Sequence, residues 1–250
     1  MLNQVQLTYR RSSELLASTT IIQYCKFKIL HEIRPALERH GVLQDIAATC
    51  FAHFLNFDAH TVFASKLVYS LLAKEIVVDG VGGDELYFVV GGRRLRFSKY
   101  EFCLLSGLKF GGGARFPAYN NDIVEGGVLQ RYWPNGKVDL VSLETRLCEQ
   151  NAIFSQREDP LKMALVLFVE RFLFGADYRK IVSPWLFSLV ENMEQFNSFP
   201  WGKFIFQMTL HYLKNALLLD LGRIISTGIF MGFPLYFRFV INPYLAYLVT

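Results

Sequence analysis

Closely spaced cysteines are lacking in this chain. Its four, Cys25, Cys50, Cys103 and Cys148, lie far apart. None has the C-x-x-C spacing of a zinc site or a redox motif. A disulfide-dense secreted scaffold is therefore excluded. The chain also lacks a basic stretch followed by an apolar run at its start, so no secretory signal is expected. The cysteines read as reduced, intracellular and mostly part of a core. Charge of one sign is scarce too. There are 26 Lys and Arg against 22 Asp and Glu, for a net charge of +4. Dedicated nucleic-acid modules usually carry a stronger, clustered excess. Internal repeats and low-complexity runs are missing. With 52 % hydrophobic residues in 250, the chain is not disordered throughout and can bury a substantial core.

What is present reads as helices around one small sheet. Residues 1–25 are polar and weakly patterned, and are expected to form a loosely ordered arm. Residues 26–40 have a helical pattern, with Pro35 expected to kink or divide it and Gly41 to end it. Val42, Ile46, Cys50 and Phe54, four apart, predict a helix stripe over 42–55. Residues 61–73 repeat the idea. Then the period changes. Leu86–Val90, Gly91-Gly92 and Arg93–Phe97 read as a hairpin, because a two-residue turn of this kind needs positive φ. Ser98 with Glu101 predicts a capping box opening a helix over 99–106, closed by Gly107. The glycine-rich residues 107–137 predict one long irregular excursion. Asp159-Pro160 and Ser183-Pro184 read as helix starts, with 160–174 central. Trp201, Phe204, Ile205, Met208 and Tyr212 predict a further apolar helix face.

The constellations that could carry catalysis fail on chemistry. Cys50, His53 and His60 are the nearest approach to a metal cluster, with Cys50 and His53 at i, i+3 on the expected helix, but a clear fourth ligand is missing. No protease-like signature surrounds any cysteine, and Cys103, inside Phe102–Leu105, is expected to be a buried, inert thiol. The glycines at 107–113 lack the Lys and hydroxyl of a phosphate loop, and those at 80–83 lack dinucleotide spacing. No catalytic, metal or cofactor residue is assigned.

One cluster remains. Arg93, Arg94, Arg96 and Lys99, with Phe97 and Tyr100 between them, form the densest basic stretch. Cations beside aromatics can bind phosphates and stack bases. Strand alternation should turn Phe97 inward, opposite Arg94 and Arg96. Basic side chains on an edge strand also oppose sheet-to-sheet pairing. A polyanion contact and a solvated edge are thus both open readings of these four residues.

Residues 224–250 hold a single charge, Arg238, and are long enough to span a bilayer. Pro234, Arg238, Asn242 and Pro243 interrupt them, which favours a packed C-terminal segment over a tail anchor.

Several stretches, taken in order, resemble a known family. They are Thr49–Leu55, Glu85–Ser98, Glu101–Leu108, Phe196–Gly202 and Gly232–Leu235, together covering about residues 42–236. They are similar to a plant domain of unknown function that often precedes a ubiquitin-like-protein-specific cysteine protease domain in transposon-derived proteins. After Leu235 this chain departs from that family's usual pattern, reading Tyr236-Phe237-Arg238-Phe239. The resemblance implies a plant protein related to a mobile element and a nuclear location. It supplies no catalytic residues.

The expectation is therefore an α+β fold, predominantly helical, as a single domain with a small antiparallel hairpin or sheet near residues 76–97. The arm is 1–25, the helical domain 26–222, and the hydrophobic C-terminal segment 223–250. The expected function is a non-catalytic interaction module for protein or nucleic acid, without a small-molecule substrate. The alternatives are a fragment of a ubiquitin-like-protein-specific protease lacking its catalytic domain, and a tail-anchored membrane protein.

Overall fold

The computed structural model describes residues 20–56, 65–78, 82–111, 123–215 and 227–230. Among them are ten α-helices and little sheet, so the fold is the expected helical α+β. The helices are α1 (Ile29–Arg39), α2 (Leu43–Ala47), α3 (Ser65–Leu72), α4 (Lys99–Ser106), α5 (Val128–Tyr132), α6 (Leu140–Cys148), α7 (Asp159–Phe168), α8 (Pro184–Val190), α9 (Met193–Ser198) and α10 (Trp201–Asn215). Strands β2 (Glu75–Ile76), β3 (Leu86–Val90) and β4 (Arg93–Phe97) form an antiparallel sheet in that order. Strands β1 (Thr20–Gln23) and β5 (Thr227–Phe230) make a separate parallel pair. The chain divides into two compact units. One comprises Met1–Gln23, Phe63–Gly107 and Ile205–Thr250, and the other Tyr24–Val62 and Leu108–Phe204.

The first unit holds the hairpin, which forms in the expected register. Gly91 and Gly92 both have positive φ, 56° and 73°, which the tight turn requires and side chains resist. Val90 then pairs with Arg93, Phe88 with Leu95, and Leu86 with Phe97. That register puts Leu86, Phe88, Val90 and Phe97 into the core. Tyr87 and Arg96, directly opposite each other, share the outer face. Phe97 meets Phe102 of α4 and Phe206 of α10, at 6.3 and 5.4 Å between ring centroids. The capping box forms as expected. The Tyr100 N–H donates to Ser98 Oγ, while Glu101 accepts from the Ser98 N–H at 2.9 Å. Gly107, at φ 67°, ends α4 in the left-handed region. In α3, Val68, Leu71 and Leu72 are buried.

The second unit is built on α7. Every residue from Asp159 to Phe168 is buried, and a π-helical turn, Val169–Leu173, continues it to Gly175 at φ 62°. Phe168 and Phe172 stack at 4.8 Å, and Phe54 lies within 5.4 Å of both. Phe51 contacts Phe168, Phe196 and Trp201. The Trp201 indole N–H donates to the Phe196 carbonyl at 2.9 Å. Asn197 Oδ1 accepts the Cys50 N–H at 2.8 Å. Gly202 packs so tightly that a Cβ there would sit 2.7 and 2.8 Å from the Leu108 and Lys109 carbonyl oxygens. Its N–H donates to that Lys109 carbonyl.

The structure refines several local expectations. Of the kink or division expected at Pro35, the division does not occur, since α1 runs through it to Arg39. It then ends in a Schellman motif, with the Val42 N–H on Leu37 O and the Gly41 N–H on Glu38 O. Residues 42–55 are not one helix. Thr49 Oγ1 accepts the Phe51 N–H, so the chain turns after α2 and resumes as a 3₁₀ turn, Ala52–Asn56. The glycine-rich excursion contains α5, started by Gly127 and supported by Glu191, which accepts the Val128 N–H. Helix α6 was not anticipated, although Asp139 caps it through the Ser142 N–H, and Leu140, Leu143 and Leu147 form its buried stripe. Within the expected N-terminal arm, Thr20–Gln23 is a strand. The expected C-terminal segment lies outside the described residues except for β5. No helix among the described residues is long and apolar enough to cross a membrane.

Two outcomes follow from these contacts. Gly202→Ala forces backbone apart at two carbonyls, and urea unfolding should show it less stable by about 1–3 kcal/mol. Glu101 has its carboxyl pKa lowered. Burial opposes this, but hydrogen bonds from Arg96 and Ser98 outweigh it. A lowered folded pKa stabilises above the unfolded value and is lost as pH falls through the folded one. Glu101→Gln keeps an acceptor for the cap but loses the charge paired with Arg96, and should therefore cost about 0.5–1 kcal/mol at pH 7, the size of a partly exposed ion pair. In chemical denaturation at stepped pH, that difference should narrow as the pH falls below the ordinary carboxylate range and close once the carboxylate is protonated in the folded state as well.

Candidate nucleic-acid interface

The first unit presents the basic cluster from two consecutive elements. Among the described residues, strand β4 is the outer strand of its sheet, paired with β3. Arg93 and Arg94 sit beside the glycine turn and are exposed. Arg96 follows on the outer face, and Lys99 opens α4 one residue beyond the Ser98 cap. All four predicted residues are exposed, with Arg94 and Arg96 on the outer face of β4 and Arg93 on the opposite face, beside the turn.

They are not equivalent. Arg96 is claimed by Glu101, whose Oε1 accepts from Nε at 3.0 Å and from Nη2 at 2.6 Å. The other oxygen of the same carboxylate accepts from the Ser98 N–H and hydroxyl. One acid thus closes the helix cap and fixes an arginine of the preceding strand. Hydrogen bonding to Glu101 holds the Arg96 pKa above its ordinary value. Tyr87, across the strand, donates its hydroxyl to Glu85 at 2.6 Å, and that bond raises the tyrosine pKa. No carboxylate among the described residues forms an ion pair with Arg93, Arg94 or Lys99. These three carry the uncompensated charge.

The two aromatics also separate. Phe97 is fully buried, whereas Tyr100 is 62 % exposed. The Lys99 ammonium lies 5.1 Å from the Tyr100 ring centroid and the Arg96 guanidinium 5.9 Å. Cys103 and Leu104, at i+3 and i+4 from Tyr100, extend the same exposed helix face, and Leu104 is 84 % exposed. The expectation of a buried Cys103 is thus corrected. Only Phe102 and Ser106 of α4 face inward, because eight residues give two turns and one narrow buried stripe. The sequence reading missed the Arg96–Glu101 pair, since Glu101 was already assigned to the cap. It also missed the exposed Tyr100–Leu104 face, although the i, i+3, i+4 spacing was visible.

The other candidate residues are placed as follows. Cys50 and His53 fall on a turn and a 3₁₀ segment rather than on one helix face, and His60 lies outside the described residues. Burial pushes the Cys50 thiol up to about 12. It raises the Cys25 and Cys148 thiols as well, and Cys25 donates to the Phe172 carbonyl at 3.0 Å. These three sulfurs are held as thiols, the form that is not nucleophilic. Beside the sheet, a cavity of about 370 Å³ is lined by residues including Glu75, Glu85, Tyr87 and Lys214, which mix both signs of charge.

Comparison with known proteins adds the family. A domain of unknown function, DUF1985, matches residues 72–212. Those limits contain the hairpin, α4 and the Phe196–Gly202 stretch. Thr49–Leu55 and Gly232–Leu235 fall outside them. Neither the curated proteins nor the solved structures include a match. With more than half of its length matched, including the basic hairpin and its capped helix, the chain belongs to the DUF1985 family.

Proposed function

We propose that this domain is a non-catalytic interaction module that contacts nucleic acid through Arg93, Arg94 and Lys99, with Arg96 as a fixed flanking charge. One observation carries the reading. Three exposed cations lie within seven residues, on an edge strand and the helix that follows it, without a neutralising carboxylate among the described residues. A protein that needed only to block edge pairing would need fewer charges, and none on the helix. Phosphates supply the missing counter-charge and release their own counterions on binding. The thiols of Cys25, Cys50 and Cys148, kept protonated by burial, are not poised as nucleophiles. The finer resemblance, to a transposon-derived plant protein whose relatives carry a downstream protease domain, is consistent with a module that acts in the nucleus.

Fluorescence anisotropy on the full chain tests this. The variant is Arg93→Glu/Arg94→Glu/Lys99→Glu, which leaves the Arg96–Glu101 pair and the helix cap intact. Each phosphate contact contributes about 0.7–0.9 to the salt slope. Three contacts predict that log K falls with log salt at a slope of about −2 to −3, and that the variant loses binding at low salt. Unchanged affinity in the variant would remove the reading.

A further inference from the structure

We infer that Tyr100 is a stacking platform for an unpaired base, so that the ligand of the basic hairpin is single-stranded nucleic acid. This rests on the proposed nucleic-acid contact and names its form.

The placement of Tyr100 has no packing explanation. Its helix already buries Phe102 and Ser106, and Phe97 fills the core beside them. Tyr100 instead stands outside, on the first turn, at 62 % exposure. A large ring left in water next to cations is the arrangement that binds single strands, where bases stack on aromatics and the backbone follows positive charge. The ring here has Lys99 at 5.1 Å and Arg96 at 5.9 Å. Arg96 is held in place by Glu101. Lys99 is on a flexible stem and can move to a phosphate when a base takes its place, because an exposed cation–π contact is weaker than a base stack.

The same face argues against a duplex. Reading the major groove takes Arg, Lys, Asn or Gln side chains projecting from a helix or a two-stranded ribbon towards base edges, and on the β3–β4 ribbon the Arg96 fork is already taken by Glu101. The exposed face of α4 continues from Tyr100 to Cys103 and Leu104, which offer no bidentate donors. In a duplex every base face is already stacked, whereas an unpaired base presents one. An acidic peptide would satisfy the cations but would leave the ring and Leu104 without a flat partner.

The test uses the full chain and fluorescein-labelled oligonucleotides of about 12 nucleotides, within the span of known single-strand sites. The same mixed sequence is offered single-stranded and as a duplex, and polyglutamate serves as competitor. The expected result is tighter binding of the single strand and about a tenfold loss on Tyr100→Ala. Tyr100→Phe should retain the wild-type affinity, and the salt slope should be unchanged in both variants, since neither removes a charge. Tyr100 is exposed, so neither substitution disturbs the core. Unchanged single-strand affinity in Tyr100→Ala, or equal binding of the duplex, overturns the platform while leaving the phosphate contact standing. Displacement by polyglutamate as readily as by unlabelled single strand overturns it in favour of an acidic protein. No binding of either oligonucleotide at low salt overturns this inference and the proposed function together.

Discussion

A helix buried on every side can carry charge only where each charge finds a partner, and α7 imposes that condition on the second unit. Asp159 at its start is fully buried and accepts from Tyr132 at 2.8 Å, from the Gln156 N–H at 3.1 Å and from Arg131. Lys162 pairs with Glu191 at 2.6 Å. Glu170, also fully buried, is met by Lys180 at 2.8 Å. The Arg171 guanidinium donates to the Ala176 carbonyl at 2.8 Å. Removing one partner would leave a buried charge alone, which costs several times what an exposed pair contributes. The positions of α5, α8 and the 176–183 segment follow from this need as much as from apolar burial. Glu191 shows the economy best, since its carboxylate serves both Lys162 and the first free N–H of α5.

The first unit relies on a smaller device of the same kind. Glu101 closes the capping box and fixes Arg96 with one carboxylate. The basic cluster is therefore not a uniform patch. One of its charges belongs to the fold, and three face outwards without an acidic partner among the described residues. The two roles could not be separated from the order of residues, because a capping glutamate and an ion-pairing glutamate look alike in sequence.

Motifs shared with a family are often assumed to mark function, but several here have a packing cause. Trp201 anchors to the Phe196 carbonyl, Asn197 holds the backbone at Cys50, and Gly202 admits two carbonyls that any side chain would displace. Gly91 and Gly92 make the turn, and Ser98 and Glu101 make the cap. Such residues recur wherever the fold does. The exposed residues between them, Arg93, Arg94, Lys99 and Tyr100, have no such cause, and that is why the functional reading is placed on them.

The elements whose signals are local could be read from the order of residues alone. The hairpin, its register, the capped α4, the glycine stop at 107 and the proline starts at 160 and 184 were all legible, because positive φ, capping and proline geometry act within a few residues. The central position of α7 was legible from its unbroken apolar run. Tertiary structure decided the rest. It broke the 42–55 stripe at Thr49, where a side chain took a backbone N–H that a helix would have used. It placed α5, a five-residue segment too short to hold alone, whose first N–H is met by Glu191, whereas the signals of α6, the Asp139 cap and the Leu140, Leu143 and Leu147 stripe, are local. In the candidate interface, sequence alternation correctly sent Phe97 inwards. It could not say that Tyr100 stays outside, that Cys103 is exposed, or that Arg96 is already bound. Those outcomes depend on which helix face the core covers, and a two-turn helix has too few residues for its period to reveal that face.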